Sequence, residues 1–216
     1  MATMESLALT HPTLILIIGI PGAGKSFFAQ KFSDMFGAPV VSADRIRYEL
    51  FAKPQYNADE DDLIGRLALY QIEELLKSKR SFVVDGGGTT KVERTQLAER
   101  ARQAGYELLT IWVQTHETTA KSRALKRSPR RQGDKYNTSL TAEQFGKLCR
   151  RFTAPSREDY MVISGMHTYS TQAKAVLRRL AKQHETEAAE AHRTEAEQLR
   201  QAARGDSPVR RSISIR

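Results

Sequence analysis

The sequence predicts an α/β fold, a three-layer sandwich of helices around a five-stranded, mainly parallel sheet. Three observations carry that expectation. Strand-like and helix-like patterns alternate five times along the 216 residues, which is the order that produces parallel strands with covering helices. The strand-like runs, such as Thr13–Ile18 (TLILII), are continuously apolar, as strands buried on both faces are. The first run ends in the glycine-rich turn GIPGAGKS, and a helical pattern follows directly.

Each element has its own justification. TLILIIG, residues 13–19, is a short Ile/Leu run stopped by glycine, so it reads as a buried strand. Lys25 to Phe36 places Phe28, Phe32, Met35 and Phe36 at helical spacing, closed by Gly37. APVVSAD is a second strand leading into a short helix, RIRYELF. The loop-like KPQYNADEDD follows, its acidic cluster suited to a helix amino terminus. Apolar residues at 63, 64, 67, 68, 72, 75 and 76 then make an amphipathic helix from Leu63 to Leu76. SFVVD is the third strand, stopped by Gly86–Gly88. A helix over about 92–104, the strand YELLTIWV and a helix over about 117–126 come next. RSPRRQGDKYNTS combines turn residues with charge and reads as a mobile loop, before a helix for which Thr141 is the expected cap. DYMVIS is the fifth strand, and Ala173, Val176, Leu177, Leu180 and Ala181 begin the last core helix.

Composition bounds the rest. The apolar share of 40% supports a core, and the mean hydropathy of -0.51 argues against a membrane protein. The amino terminus lacks a basic region followed by an apolar core, so the protein is expected to be unexported and cytoplasmic. Cys149 is the single cysteine, which leaves no internal disulfide and reads most simply as a half-buried thiol. The expected organisation is a flexible stretch 1–12, an ATP-binding domain 13–181 with a lid at about 123–140, a charged helical extension 182–204 and a disordered basic tail 205–216. Most of the net charge of +9 lies between Lys121 and Arg151, where ten Lys/Arg meet only Asp134 and Glu143. That patch suits an anionic partner, a nucleotide or a nucleic acid, although a solvated basic surface reads the same way.

GIPGAGKS fits G-x-x-x-x-G-K-[ST] with a strand before it and a helix after it, the context in which this pattern binds phosphate. Gly19, Pro21, Gly22, Ala23, Gly24, Lys25, Ser26 and Phe27 are therefore assigned to ATP. The glycines let backbone N–H groups curl around a phosphate, Lys25 reaches the β- and γ-phosphates and the Ser26 hydroxyl ligates Mg²⁺. Asp44 and Asp85 follow the second and third strands and so face the ligand crevice of such a sheet. Asp85 is the Walker-B residue, placed on the metal and on the substrate side. Asp44 fits two roles equally well from its position, a proton acceptor for an attacking hydroxyl or the amino-terminal cap of RIRYELF. Arg123 and Arg127 lie four apart on a helix and project from one face, either to neutralise charge on the transferring phosphoryl group or as part of a solvated face.

Taken together, GIPGAGKS, SADRIRYELF, VVDGGG and the Arg-x-x-x-Arg helix resemble the P-loop kinases of the polynucleotide 5′-hydroxyl kinase type. These have an AAA-like ATP-binding domain, and the zeta-toxin and chloramphenicol phosphotransferase groups are relatives. The resemblance spans about residues 13–180. It implies a P-loop NTPase sandwich with sheet order 2-3-1-4-5 and a basic lid after the fourth strand. It implies that Asp44 is the general base, Arg47 a substrate-contacting arginine, and Arg123 and Arg127 the lid arginines, with Arg127 the closer match to the catalytic one. The chain departs from the pattern at Asp85-Gly-Gly-Gly, where that group has Asp-x-[ST]-Asn. The expectation is an ATP-dependent kinase acting on a hydroxyl of a nucleic-acid 5′ end, a nucleotide sugar or another small molecule. An anionic acceptor suits the basic lid, and the alternative is an ATPase or nucleotide sensor.

Overall fold

The structure is a computed structural model, and it describes residues 11–127, 136, 139–156 and 159–205. The chain divides after Val176 into two units, each described by itself. In the first, five parallel strands form one sheet in the order β2-β3-β1-β4-β5. They are β1 (Thr13–Ile18), β2 (Val40–Ser42), β3 (Phe82–Asp85), β4 (Glu107–Gln114) and β5 (Met161–Ser164). The helices of this unit are α1 (Lys25–Phe36), α2 (Ala43–Leu50), α3 (Ala58–Lys77), α4 (Lys91–Gln103), α5 (Glu117–Leu125) and α6 (Ala142–Arg151), which lie on both sides of the sheet, and the start of α7 (Tyr169–Gly205), most of which belongs to the second unit.

The predicted sheet order is therefore the observed one. All six residues of β1 are buried, as its unbroken apolar run demands for a central strand. Leu14, Leu16 and Ile18 pack with Phe82, Val84, Ile72, Leu76 and Leu97 into the core under α3 and α4. By strand alternation Ile15 and Ile17 face the opposite layer. Phe28 and Phe32 of α1 are fully buried, whereas Met35, expected on the same face, is 46% exposed.

Local chemistry sets the helix boundaries. Side chains of Ser42, Asn57, Thr90 and Thr141 cap α2, α3, α4 and α6, the last two as capping boxes. Two expectations change. α3 begins at Ala58 rather than Leu63, because Asn57 caps it and Asp59, Glu60 and Asp61 complement its positive end. α2 begins at Ala43, two residues earlier than RIRYELF. Most of the loop expected at 127–139 lies outside the described residues, as do residues 1–10 and 206–216.

In the second unit the helix continues without a break to Gly205. Leu180 is buried and Leu177 half-buried, as expected for core positions, whereas the described side chains from Ala181 onward, among them Arg193, Glu197 and Arg200, are exposed, so Ala181 is not a core residue. Among the described residues no helix is long and apolar enough to cross a membrane.

Candidate functional site

The sheet register brings the carboxyl ends of three strands together. Asp85 lies level with Ile17 on one side and Ser42 on the other. Directly beyond them runs the Gly19–Ser26 loop, and a cavity of about 1280 Å³ opens over it. The loop's backbone takes shapes that its glycines make accessible. Gly19 and Gly22 have φ of 144° and 78°, and a Cβ on Gly22 would stand 2.1 Å from the Ala120 carbonyl oxygen. The underside is tied down by the Thr115 hydroxyl, which donates to the Ala23 carbonyl at 2.9 Å. Gly165, just past β5, packs so closely that a Cβ there would meet the same carbonyl at 2.0 Å. Unlike α2, α3, α4 and α6, helix α1 starts on a glycine with no side-chain cap. Its first N–H groups and positive dipole end are left for an anion.

Lys25 and Asp85 form the electrostatic centre. The Lys25 ammonium donates to the Ile20 carbonyl at 3.0 Å. Burial pushes its pKa down from the ordinary lysine range, Asp85 and Asp44 pull it back up, and Arg127 adds to the depression. Burial pushes the Asp85 carboxyl up, opposed by the Ser26 hydroxyl and Lys25, while Asp44 adds to the rise. A buried carboxylate beside a hydroxyl is an oxygen-only donor pair that matches Mg²⁺, which binds through one or two protein oxygens together with phosphates and water. Among the described residues no group of three His, Cys, Asp or Glu is placed to hold a metal ion. Ser26 and Asp85 are thus the side chains that fit one, with nucleotide phosphates supplying further ligands.

Asp44 is exposed and lines the cavity. The capping alternative for it falls away, since the Ser42 hydroxyl accepts from the Arg45 N–H and Asp44 occupies the first turn of α2. Arg47 also lines the cavity, yet its guanidinium is engaged by the protein. It meets Glu60 at 3.1 Å and Asp61 at 2.6 Å, lies 4.7 Å over the Tyr56 ring and is only 7% exposed. Burial opposes ionisation of Glu60, but the N–H groups of Gln55 and Tyr56 and the Arg47 charge outweigh it and hold the carboxyl below its ordinary range. Asp61 follows the same pattern: burial raises its pKa, and bonds from Arg151 and Arg47 lower it further than that.

The two lid arginines are not equivalent. α5 ends at Leu125 with Lys126 as its cap, so Arg127 sits past the helix rather than one turn along the same face. Arg127 lines the cavity near Lys25, while Arg123 donates to the Gly165 carbonyl at 3.0 Å. Phe27 is 56% exposed at the cavity wall.

Sequence reasoning missed several contributors. Thr115 and Gly165 carry no motif, because their role is contact with a loop distant in the chain. Arg151 reaches Asp61 at 2.6 Å from the end of α6. Arg94, 2% exposed, reads in sequence as a surface arginine of α4. It donates to the carbonyls of Gly88 and Thr153, joining the glycine turn after Asp85 to the segment after α6. Arg94→Met leaves the buried Gly88 carbonyl and the part-buried Thr153 carbonyl without their charged donor. We expect a loss of about 3 kcal/mol in unfolding free energy, read from the urea midpoint at unchanged m-value.

Comparison with known proteins agrees with this fold. The gluconokinase of Sinorhizobium meliloti 1021 superposes with a TM-score of 0.59 at 20% identity, covering 84% of this chain and 99% of that one. Chaetomium thermophilum Kti12 in complex with ADP-AlF3 gives 0.60 at 19% identity, covering 78% and 97%. The Mycobacterium tuberculosis APS kinase CysC in complex with AMPPNP and APS gives 0.57 at 17% identity, covering 80% and 98%. In sequence, the chain is 30% identical over 105 residues to the adenylate kinase of Thermosipho melanesiensis, a match that takes in 44% of this chain and 49% of that protein. The matched region spans about half the length of that relative. Residues 14–155, which contain the loop, both strand-end carboxylates and the arginines, match the AAA domain family. With most of its length matched and its sheet in the P-loop kinase-like order, the chain belongs to the AAA domain family.

Proposed function

We propose that the protein is a kinase that moves the γ-phosphoryl group of Mg·ATP to a hydroxyl acceptor. The observation that carries this reading is the open Asp44 carboxylate in the same cavity as Lys25 and Asp85. At about 1280 Å³ that cavity exceeds the usual single-ligand range of about 300–1,000 Å³, leaving room beside a nucleotide for a second reactant.

The roles follow from position. Gly19, Pro21, Gly22, Ala23 and Gly24 present backbone to the phosphates, and Lys25 holds the β- and γ-phosphates. The exposed Phe27 ring offers a surface at the cavity wall near the nucleotide. Ser26 and Asp85 would hold Mg²⁺, which would supply neutralisation of the charge on the phosphates. Asp44 accepts the proton of the acceptor hydroxyl as it attacks, and Arg127 balances charge on the transferring group. Arg123 keeps the segment after β5 in place beneath the loop. Arg47, held by Glu60 and Asp61, acts as a strut of the acceptor wall. The family resemblance puts nucleic-acid 5′ ends among the acceptors, together with sugars and nucleotide sugars.

A second reading, an ATPase or nucleotide sensor, is favoured by Gly86–Gly88, which offers no side-chain amide after Asp85. The two are separated by following γ-labelled ATP with 5′-hydroxyl oligonucleotides, nucleosides, nucleotide sugars and water as competing acceptors. Transfer to a hydroxyl compound is the expected outcome. Phosphate release to water alone supports the ATPase.

A further inference from the structure

Next to Asp44 on α2, one guanidinium is left uncommitted. Around α2, α3, α4 and the end of α6 the cavity is lined by Arg45, Arg47, Arg100 and Arg151, against the carboxylates Asp44, Asp61 and Glu93. Three of these arginines are engaged within the chain. Arg47 is held by Glu60 and Asp61, Arg151 by Asp61 at 2.6 Å, and Arg100 lies 3.6 Å from Glu73. Arg45 differs. It is exposed, forms no ion pair with a described carboxylate and rests 5.0 Å over the Tyr136 ring. The Tyr136 hydroxyl donates in turn to Glu49, one turn further along α2. A guanidinium laid flat on a ring keeps its N–H fork open, and that planar fork matches two oxygens of a phosphate.

Position assigns this fork to the acceptor rather than to ATP. β3 separates β2 from β1, so α2 starts about 10 Å to one side of the strand that leads into the phosphate loop. Arg123 and Arg127 follow β4, on the opposite side of β1. Asp44 and Arg45 both line the cavity, and their α-carbons, as neighbours in the chain, stand about 3.8 Å apart. One small molecule can therefore present a hydroxyl to Asp44 and a phosphate to Arg45.

Arg47, two residues on, is less available for the same task. Turning its terminal nitrogens to a phosphate would take them from Glu60, which is 6% exposed, and leave a buried carboxylate uncompensated. Exposed Arg45 exchanges only water for the ligand. The Nε of Arg47 is the one donor left over there, buried and without a hydrogen-bond partner. Buried donors are as a rule satisfied, so this wall is short of acceptor oxygens, which a phosphate carries in excess.

We propose that Arg45 is the residue that selects the acceptor, gripping a phosphate group on the alcohol whose hydroxyl faces Asp44. Arg47 stays with Glu60 and Asp61. The ligand class is a phosphorylated alcohol, with the phosphate carried by a sugar, a mononucleotide or an oligonucleotide. The proposal rests on the kinase reading above. In the step, the acceptor hydroxyl oxygen forms the new O–P bond and its proton passes to Asp44. The bond from the γ-phosphorus to the bridging oxygen breaks, and ADP leaves with that electron pair. The acceptor's own phosphate is held and takes no part in the chemistry.

The test supplies γ-labelled ATP with acceptors that differ by phosphate. Glucose is set against glucose 6-phosphate, and thymidine against thymidine 3′-phosphate and a 5′-hydroxyl oligothymidylate, which separates the three sources. Label is expected on a phosphate-bearing compound, with kcat/KM about 10–100-fold above that of its phosphate-free partner. Arg45→Gln should remove most of that preference by raising the KM for the phosphate-bearing compound, with kcat and the KM for ATP within about 3-fold. Arg45→Lys, which keeps the charge without the fork, should fall between the two. Because Arg45 is exposed, both variants should fold, with thermal midpoints within about 3 °C of wild type. Equal or faster labelling of the phosphate-free partners overturns this proposal and leaves the kinase reading standing. So does an Arg45→Gln protein with the wild-type preference. Label passing only to water overturns the kinase reading, and this inference with it.

Discussion

Asp44→Asn lowers phosphoryl transfer to the acceptor by about 10²–10⁴-fold while ATP affinity stays within about 3-fold. The substitution keeps the size and one hydrogen-bonding oxygen of the side chain and removes its capacity to take a proton. Asp44 is not needed as a helix cap, because Ser42 caps α2. The exposed side chain is not part of the core either. Loss of activity therefore cannot be ascribed to unfolding of α2, and a thermal midpoint within about 3 °C of wild type is the matching control. Single-turnover transfer read alongside equilibrium ATP binding separates the two effects. An Asp44→Asn protein that transfers at the wild-type rate removes Asp44 from the chemistry. It would then leave Asp85, held by burial above the ordinary carboxylate range, as the acid–base group nearest the loop.

Lys25→Ala has the second large effect, and it falls on both quantities. Turnover drops by about 10²–10³-fold or more, the loss typical when one hydrogen-bond donor is removed from a developing oxyanion, and ATP binding weakens with it. Folding is expected to survive, because the wild-type protein holds this half-buried ammonium at a desolvation cost that alanine does not carry. The sign can be checked by pH. A lysine whose folded-state pKa lies below 10.5 binds fewer protons in the folded than in the unfolded state across that window. The wild type should therefore gain stability relative to Lys25→Ala as pH rises toward 10.5 and lose it as pH falls through the depressed value. Urea midpoints of both proteins across that range measure it. A variant that keeps both turnover and ATP affinity would show that backbone N–H groups alone hold the phosphates.

Much of this site could be read before any coordinates. GIPGAGKS between a strand and a helix has few other uses, because its glycines and lysine only make sense around a phosphate. Asp85 at the end of an apolar strand pointed to the crevice for a topological reason that applies to parallel sheets in general. Arg123 and Arg127 were identified as a pair, yet their assumed geometry was wrong. The helix stops at Leu125, and a spacing of four implies a shared face only while the helix lasts. Arg47 looked like a group waiting for substrate, and sequence contains nothing to reveal that Glu60 and Asp61 reach it across a loop. Arg94 shows the same limit: a buried arginine and a surface arginine have identical neighbours in sequence.

By itself the sequence determined the sheet, its parallel strands, the phosphate loop and the two strand-end carboxylates. Each of these is written in short-range terms: apolar runs, glycine spacing, and residues at strand ends. Tertiary structure alone decided which charges remain open to a ligand. Lys25, Arg123 and Arg127 are without ion pairs among the described residues, while Arg47 and Arg151 are consumed by Asp61. Ion pairing depends on side chains meeting within a few ångströms across elements far apart in the chain, and no local pattern encodes that distance.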